Sequence, residues 1–227
     1  MALKGVFFDF GDTLVTLCPA KEQLFVTAAR SVGLELELAA VERAYEIVDF
    51  HNKFSSVQPT DRETFYQNYN EQLCEVLGIS NYFGKLHPEL TVQFKQHKSW
   101  KLIEGVTVVL SRLHQRGLPL ALVANWDANL SSLAEQLGVK QFFSVIVPSQ
   151  AVGVEKPDPA IFRPALDELF LSPKSDQILY VGNEYRADVL GARAAGLTPV
   201  LIDRKGVYQH ADCLRFGSLL EWLEAMA

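Results

Sequence analysis

The chain has few of the features that mark several classes of protein. No stretch reaches the roughly 18 consecutive apolar residues that suggest a membrane span, so a transmembrane segment is not expected. The three cysteines, Cys18, Cys74 and Cys213, are odd in number and show no Cys-x-x-Cys spacing. That speaks against a disulfide framework and a zinc site and for reduced thiols. Lysine and arginine form no run, and the net charge is −6. A basic surface for nucleic acid or anionic membrane is therefore not expected. None of His51, His87, His97, His114 and His210 pairs with another on one helix face. The first apolar run is stopped by Asp9 after a few residues, unlike a signal peptide. Internal repeats and low-complexity tracts are absent. These absences predict a cytoplasmic protein that works on small molecules.

What is present is a normal core-forming composition, 48% hydrophobic over 227 residues. That suits one large domain, or one domain with a sizeable insertion. Short apolar runs recur at Val6–Phe8, Leu118–Val123, Val145–Val147, Ile178–Val181 and Val200–Ile202. Runs of this length read as strands buried on both faces. Helical faces lie between them. Leu130, Leu133 and Leu137 form one, stopped by Gly138, and Ile161, Leu166 and Leu169 form another after Pro159. Ala187 to Ala195, ended by Gly196, reads as a third. Strands alternating with helices predict an α/β fold, a doubly wound parallel sheet of Rossmann-like type.

Residues 17–100 break the alternation. Apolar residues recur at helical spacing in four groups: Leu24/Ala28/Val32, Leu38/Val41/Tyr45/Val48, Phe65/Tyr69/Leu73/Val76 and Leu86/Leu90/Phe94. No strand is expected there. The reading is an all-helical insertion, residues 17–100, in a core made of residues 1–16 and 101–227. Phe50, Phe54, Phe65 and Tyr69 are candidates either to shape a pocket or to fill the insertion's own core.

Four short segments carry the candidate chemistry: Val6–Leu14 with Asp9 and Asp12, Leu122–Asp127, Gly153–Pro159 with Lys156, and Tyr180–Asp188. In this order they resemble the four motifs of the haloacid dehalogenase-like (HAD) hydrolase superfamily. A helical insertion after the first strand matches the subgroup with a cap at that point. The resemblance covers nearly the whole chain. It implies a magnesium-dependent phosphatase acting on a small phosphorylated metabolite through an aspartyl-phosphate.

Under that resemblance Asp9 is the nucleophile, since a carboxylate after a strand can attack phosphorus. The usual pattern is Asp-x-Asp-x-Thr, whose second aspartate moves the leaving-group proton. Here Gly11 stands in its place, and general acid–base help is typically worth about 10²- to 10⁴-fold in rate. Asp12, one residue on, either swings into that role or serves only as a turn residue. Thr13 is implied to contact substrate. At the second motif Ala124 replaces a hydroxyl that would hold a phosphate oxygen, a loss of about 1.5–3 kcal/mol. The backbone N–H of Asn125 remains able to face an anion. Trp126 either lines the substrate pocket or anchors the turn.

Lys156 is implied to offset the charge of the nucleophile and the phosphate. Asp9, the Gly11 carbonyl, Asn183 and Asp188 are the implied magnesium ligands, with Asn183 standing where the family has an acid. Glu184 is taken as solvated, and Tyr185 and Arg186 have no derivable role. Two other readings stay open: a binding or regulatory protein, from the changes at Gly11, Ala124 and Asn183, and a metal-independent dehalogenase using Asp9.

Overall fold

The computed structural model describes residues 3–54, 62–97, 99–172 and 177–226. Its strands are β1 (Gly5–Phe8), β2 (Val15–Cys18), β3 (Ser99–Leu102), β4 (Leu120–Ala124), β5 (Val145–Pro148), β6 (Ile178–Gly182), β7 (Thr198–Ile202) and β8 (Leu214–Phe216). Six of them form one sheet in the order β5-β4-β1-β6-β7-β8. Every pairing in it is parallel. β1 is flanked by β4 on one side and β6 on the other, so the strand order reverses around it. Ligands of open α/β sheets bind beyond the strand carboxyl ends at such a point.

The helices are α1 (Lys21–Ser31), α2 (Leu38–Phe54), α3 (Arg62–Val76), α4 (Phe83–His97) and α5 (Val106–Gln115). They continue with α6 (Leu130–Gln136), α7 (Ser149–Val152), α8 (Arg163–Glu168), α9 (Gly191–Ala194) and α10 (Leu219–Ala225). Chain contacts divide the molecule into two compact units, Met1–Thr16 with Lys101–Ala227, and Leu17–Trp100.

The α/β unit is held by strands with no polar face. β1 and β4 are buried at every position, as expected for central parallel strands. Phe7, Val123, Phe162 and Tyr180 belong to one core cluster. Phe8 meets Trp222 of α10 edge to face, ring centroids 5.9 Å apart.

The helical unit has its own core, in which Phe25, Val41, Tyr45, Leu73, Leu86 and Leu90 come together. Helical spacing had placed all of these but Phe25 on inward faces. Leu38 and Val76, assigned to the same faces, are 37% and 42% exposed. They sit at helix ends, where a stripe runs past the neighbour that covers it. Phe65 stacks on Tyr69 at 5.7 Å, and Tyr69 packs against this core. The side chains of Phe50, His51, Phe54 and His97 lie outside the described residues.

Three expectations need correction. The inserted segment is not free of strand: β2 runs into its start and β3 begins before its end, and the two pair as a ribbon. Each is four residues long, and their pairing joins positions some 80 residues apart, so no local pattern announces it. The strand expected at Leu118–Val123 starts at Leu120, because Leu118 N–H still bonds the Leu113 carbonyl at the end of α5. Ala187–Ala195 is not one α-helix. Tyr185–Leu190 is π-helical and α9 follows. The Glu184 carbonyl accepts from Asp188 N–H at 2.9 Å and from Val189 N–H at 3.4 Å, and the second bond is the wider π type.

Candidate active site

Asp9 follows β1, and its N–H bonds the Val181 carbonyl of β6 at 2.9 Å. The residue is 7% exposed. Its Oδ1 accepts from Lys156 Nζ at 2.6 Å and its Oδ2 from Thr13 Oγ1 at 2.9 Å. Lys156 Nζ also donates to Asp188 Oδ1 at 2.7 Å and to the Tyr180 hydroxyl at 2.8 Å. An ammonium has three protons, and these contacts use all of them. Tyr180 in turn donates to the Val123 carbonyl at 2.8 Å. The structure thus brings Asp9, Thr13, Lys156 and Asp188, residues far apart in sequence, into one buried cluster.

Local structure explains how each arrives. The Asn125 side chain, just past β4, clasps the backbone of Lys156. Its Oδ1 accepts from Lys156 N–H at 2.7 Å, and its Nδ2 donates to the Lys156 carbonyl at 3.0 Å. Beyond the lysine, Asp158 accepts from Ala160 N–H and caps the turn Pro159–Phe162. Asp188 closes the turn after β6, its Oδ2 accepting from both Asn183 N–H and Glu184 N–H at 2.9 Å. Gly182 permits this approach, since a Cβ there would stand 2.3 Å from the Asp188 carboxylate. Glu184, expected to be solvated, is half-buried and caps the π-helical segment through Arg186 N–H and Ala187 N–H. Tyr185 donates to Asp212 at 2.6 Å, beside an Arg193–Asp212 ion pair. Its contact is structural and on the exposed side.

Thr13 has one hydroxyl proton and two neighbouring acceptors, Asp9 Oδ2 and Asn183 Oδ1, the latter at 3.0 Å. The conflict resolves if the Asn183 amide is turned. Its NH₂ then donates to Thr13, Thr13 donates to Asp9, and the Asn183 carbonyl oxygen is released.

The remaining sequence candidates fall differently. Asp12 is exposed, with φ of 54°. Its carboxylate accepts from Thr16 Oγ1 at 3.2 Å and lies 3.8 Å from Arg204. The bonds described for it do not join the Asp9 cluster, so of the two readings the turn role is the one its geometry matches. Ala124 is buried and ends β4. Trp126 is tied into its turn: its backbone N–H donates to Ser149 Oγ at 3.1 Å and its indole N–H to Asn129 at 3.0 Å. Its ring stands edge to face on Phe10, centroids 5.3 Å apart. A Cβ built on Gly11 would lie 3.2 Å from the same indole ring.

Burial pushes the Asp9 carboxyl up from 3.8 to about 6; Lys156 opposes the rise and Asp188 adds to it. Burial works against the Lys156 ammonium too, but Asp188 and then Asp9 outweigh it and hold it above its ordinary value. Asp9 is therefore the member of this pair that titrates near neutrality. Burial also holds the Tyr180 phenol protonated, well above its usual range.

Sequence reasoning missed Tyr180 and the side-chain role of Asn125. The signal for Tyr180 was a hydroxyl inside an otherwise apolar strand, which has to find a partner when buried. For Asn125 no local signal existed, since its partner lies 31 residues away.

An aspartate beyond the central strand of a doubly wound sheet, paired with a buried lysine, is an arrangement that suits an α/β enzyme using a carboxylate in catalysis. The model for haloacid dehalogenase-like hydrolases matches residues 3–196, and the chain belongs to that family. It is 28% identical over 210 residues to haloacid dehalogenase-like hydrolase domain-containing protein 3 of Bos taurus, covering 89% of this chain and 82% of that protein. It is 35% identical over 228 residues to the phosphoserine phosphatase of Thermus thermophilus, covering 89% of each. The HAD-hydrolase YfnB of Bacillus subtilis, solved bound to magnesium, superposes with a TM-score of 0.72 at 19% identity, over 100% of this chain and 99% of that one. At that identity the likeness shows the fold.

Proposed function

We propose that this hydrolase is a phosphatase acting on a small phosphorylated metabolite through an aspartyl-phosphate on Asp9. One observation carries the reading: the Asp9 carboxylate is held from both sides, by Lys156 at 2.6 Å and Thr13 at 2.9 Å, beyond the central strand. So held, it is oriented as a nucleophile and cannot rotate freely. A carboxylate oxygen attacks phosphorus and the bond to the leaving oxygen breaks. Water then attacks the same phosphorus, releases phosphate and restores the carboxylate. Lys156 keeps a positive charge beside the reacting groups in both steps. The curated relative from Thermus thermophilus, a phosphoserine phosphatase, supports a small phosphorylated substrate.

Magnesium fits the donor set. The Asp9 carboxylate, the Gly11 carbonyl and, with its amide turned, the Asn183 carbonyl are hard oxygen donors of the kind it takes, with waters completing the shell. Asp9, Asp188 and Lys156 together carry one net negative charge, which a cation offsets. Bound there, the metal would neutralise charge on the transferring group. Asp188, with Oδ1 on Lys156 and Oδ2 on two backbone N–H groups, orients the lysine and the turn that bears Asn183. On this reading the helical unit Leu17–Trp100 is the insertion characteristic of the capped subgroup, and the activity belongs to the cytoplasm.

A second reading, a protein that binds a phosphorylated ligand with little turnover, is favoured by Ala124, whose methyl offers a phosphate no hydrogen bond. Phosphate release from a panel of phosphoryl donors, with and without magnesium and beside Asp9→Asn, separates the two. Magnesium-dependent release that disappears in Asp9→Asn is expected. Ligand-induced stabilisation without release would establish the second reading. Halide release from 2-haloacids without added metal would mean a dehalogenase.

A further inference from the structure

We infer that this site is built for phosphoryl donors whose leaving group departs without a proton, acyl phosphates above all; the inference rests on the phosphatase reading. When phosphorus is attacked, an alcohol leaves as a strongly basic alkoxide and needs an acid beside it. A carboxylate leaves as a stable anion and needs none.

The position from which an acid would serve is empty and crowded. Gly11, two residues after Asp9, has no side chain, and a Cβ there would press the Trp126 ring at 3.2 Å. That ring is half-buried and held at three points. Its indole N–H is tied to Asn129, its backbone N–H to Ser149, and it makes a T-shaped contact with the ring of buried Phe10. The neighbouring carboxyls are committed elsewhere. Asp12 is bound to Thr16 and lies beside Arg204. Asp188 takes the lysine and two backbone N–H groups. Glu184 caps the π-helical turn through both its oxygens. Lys156 spends its protons on Asp9, Asp188 and Tyr180. An aromatic ring thus crowds the point from which a proton donor's side chain would start.

With an acyl phosphate the step balances without an acid. An Asp9 oxygen forms the new bond to phosphorus, and the old P–O bond breaks with its electron pair onto the departing carboxylate. Water then displaces the Asp9 carboxylate, and its proton stays on the phosphate released. Trp126 and Gly11 are on this account specificity-determining residues.

The test is kcat/KM across acetyl phosphate, aryl phosphates of graded phenol acidity, and alkyl phosphates such as glycerol phosphate, each with the Asp9→Asn control. The expected result is a steep fall as the leaving group becomes more basic, with alkyl esters lower by about 10²- to 10⁴-fold, the span that general acid help supplies. In a Gly11→Asp/Trp126→Ala variant, with folding checked by thermal melting, the alkyl esters should recover selectively and the slope should flatten. A flat wild-type dependence, with alkyl esters turned over as fast as acyl phosphates, overturns the inference and leaves the phosphatase reading intact. No Asp9-dependent turnover of any donor would sink both. The wild-type series decides the matter even where the double variant does not fold.

Discussion

At Asp9 the demands of chemistry and stability conflict. A nucleophile must be ionised, yet burial opposes the charge and holds the carboxyl near 6 rather than 3.8. A folded-state value raised above the unfolded one gives a contribution fully present below about pH 3.8 and lost as pH rises through about 6. At about 1.4 kcal/mol per tenfold, keeping Asp9 charged costs the metal-free protein on the order of 3 kcal/mol at neutral pH. Asp9→Asn should therefore abolish turnover and also stabilise the protein, by about 1–3 kcal/mol at pH 7.5 and by little at pH 4. Urea denaturation in chelator at the two pH values measures this. A variant less stable than wild type at pH 7.5 would show that the pairing with Lys156 outweighs desolvation.

At the scale of elements, the site depends on two turns held by side chains. Asn125 ties the end of β4 to the Lys156 loop, and Asp188 folds back onto the turn after β6. Gly182 ends β6 where any side chain would collide with the Asp188 carboxylate. Gly182→Ala should force Asp188 out, leaving two backbone N–H groups without their acceptor and Lys156 without one of its two counter-charges. Breaking a buried pair typically costs about 3–5 kcal/mol, so the variant should be destabilised on that scale. Equilibrium denaturation tests it, and wild-type stability would mean that Asp188 has room to move which the close approach does not suggest. The π-helical start of Tyr185–Leu190 belongs to the same device. Glu184 caps it through two N–H groups while Asp188 reaches back to the turn before it.

For the molecule as a whole, each unit has its own apolar core. The residues of the Asp9 cluster come from Met1–Thr16 and Lys101–Ala227 alone. Replacing Leu17–Trp100 with a short Gly/Ser linker should leave an α/β unit that folds cooperatively, as a domain with its own core does. Circular dichroism with thermal melting is the check. A chain with no cooperative transition would show that the helical unit is needed to fold the sheet.

The sequence by itself determined the class of fold, because apolar strand runs and helical stripes are local and periodic. It also determined which acids and which lysine were candidates, because their order along the chain resembles a known family. The β2–β3 ribbon, the π-helical turn, the Asn125 clasp and the Tyr180 bridge were decided only by tertiary structure. Each depends on atoms separated in sequence, or on the competition of several acceptors for the same N–H groups, and neither leaves a periodic trace. The same holds for Gly11. The sequence showed that a carboxyl was missing there, but only the folded chain put the Trp126 ring, 115 positions on, against the point where that side chain would have started.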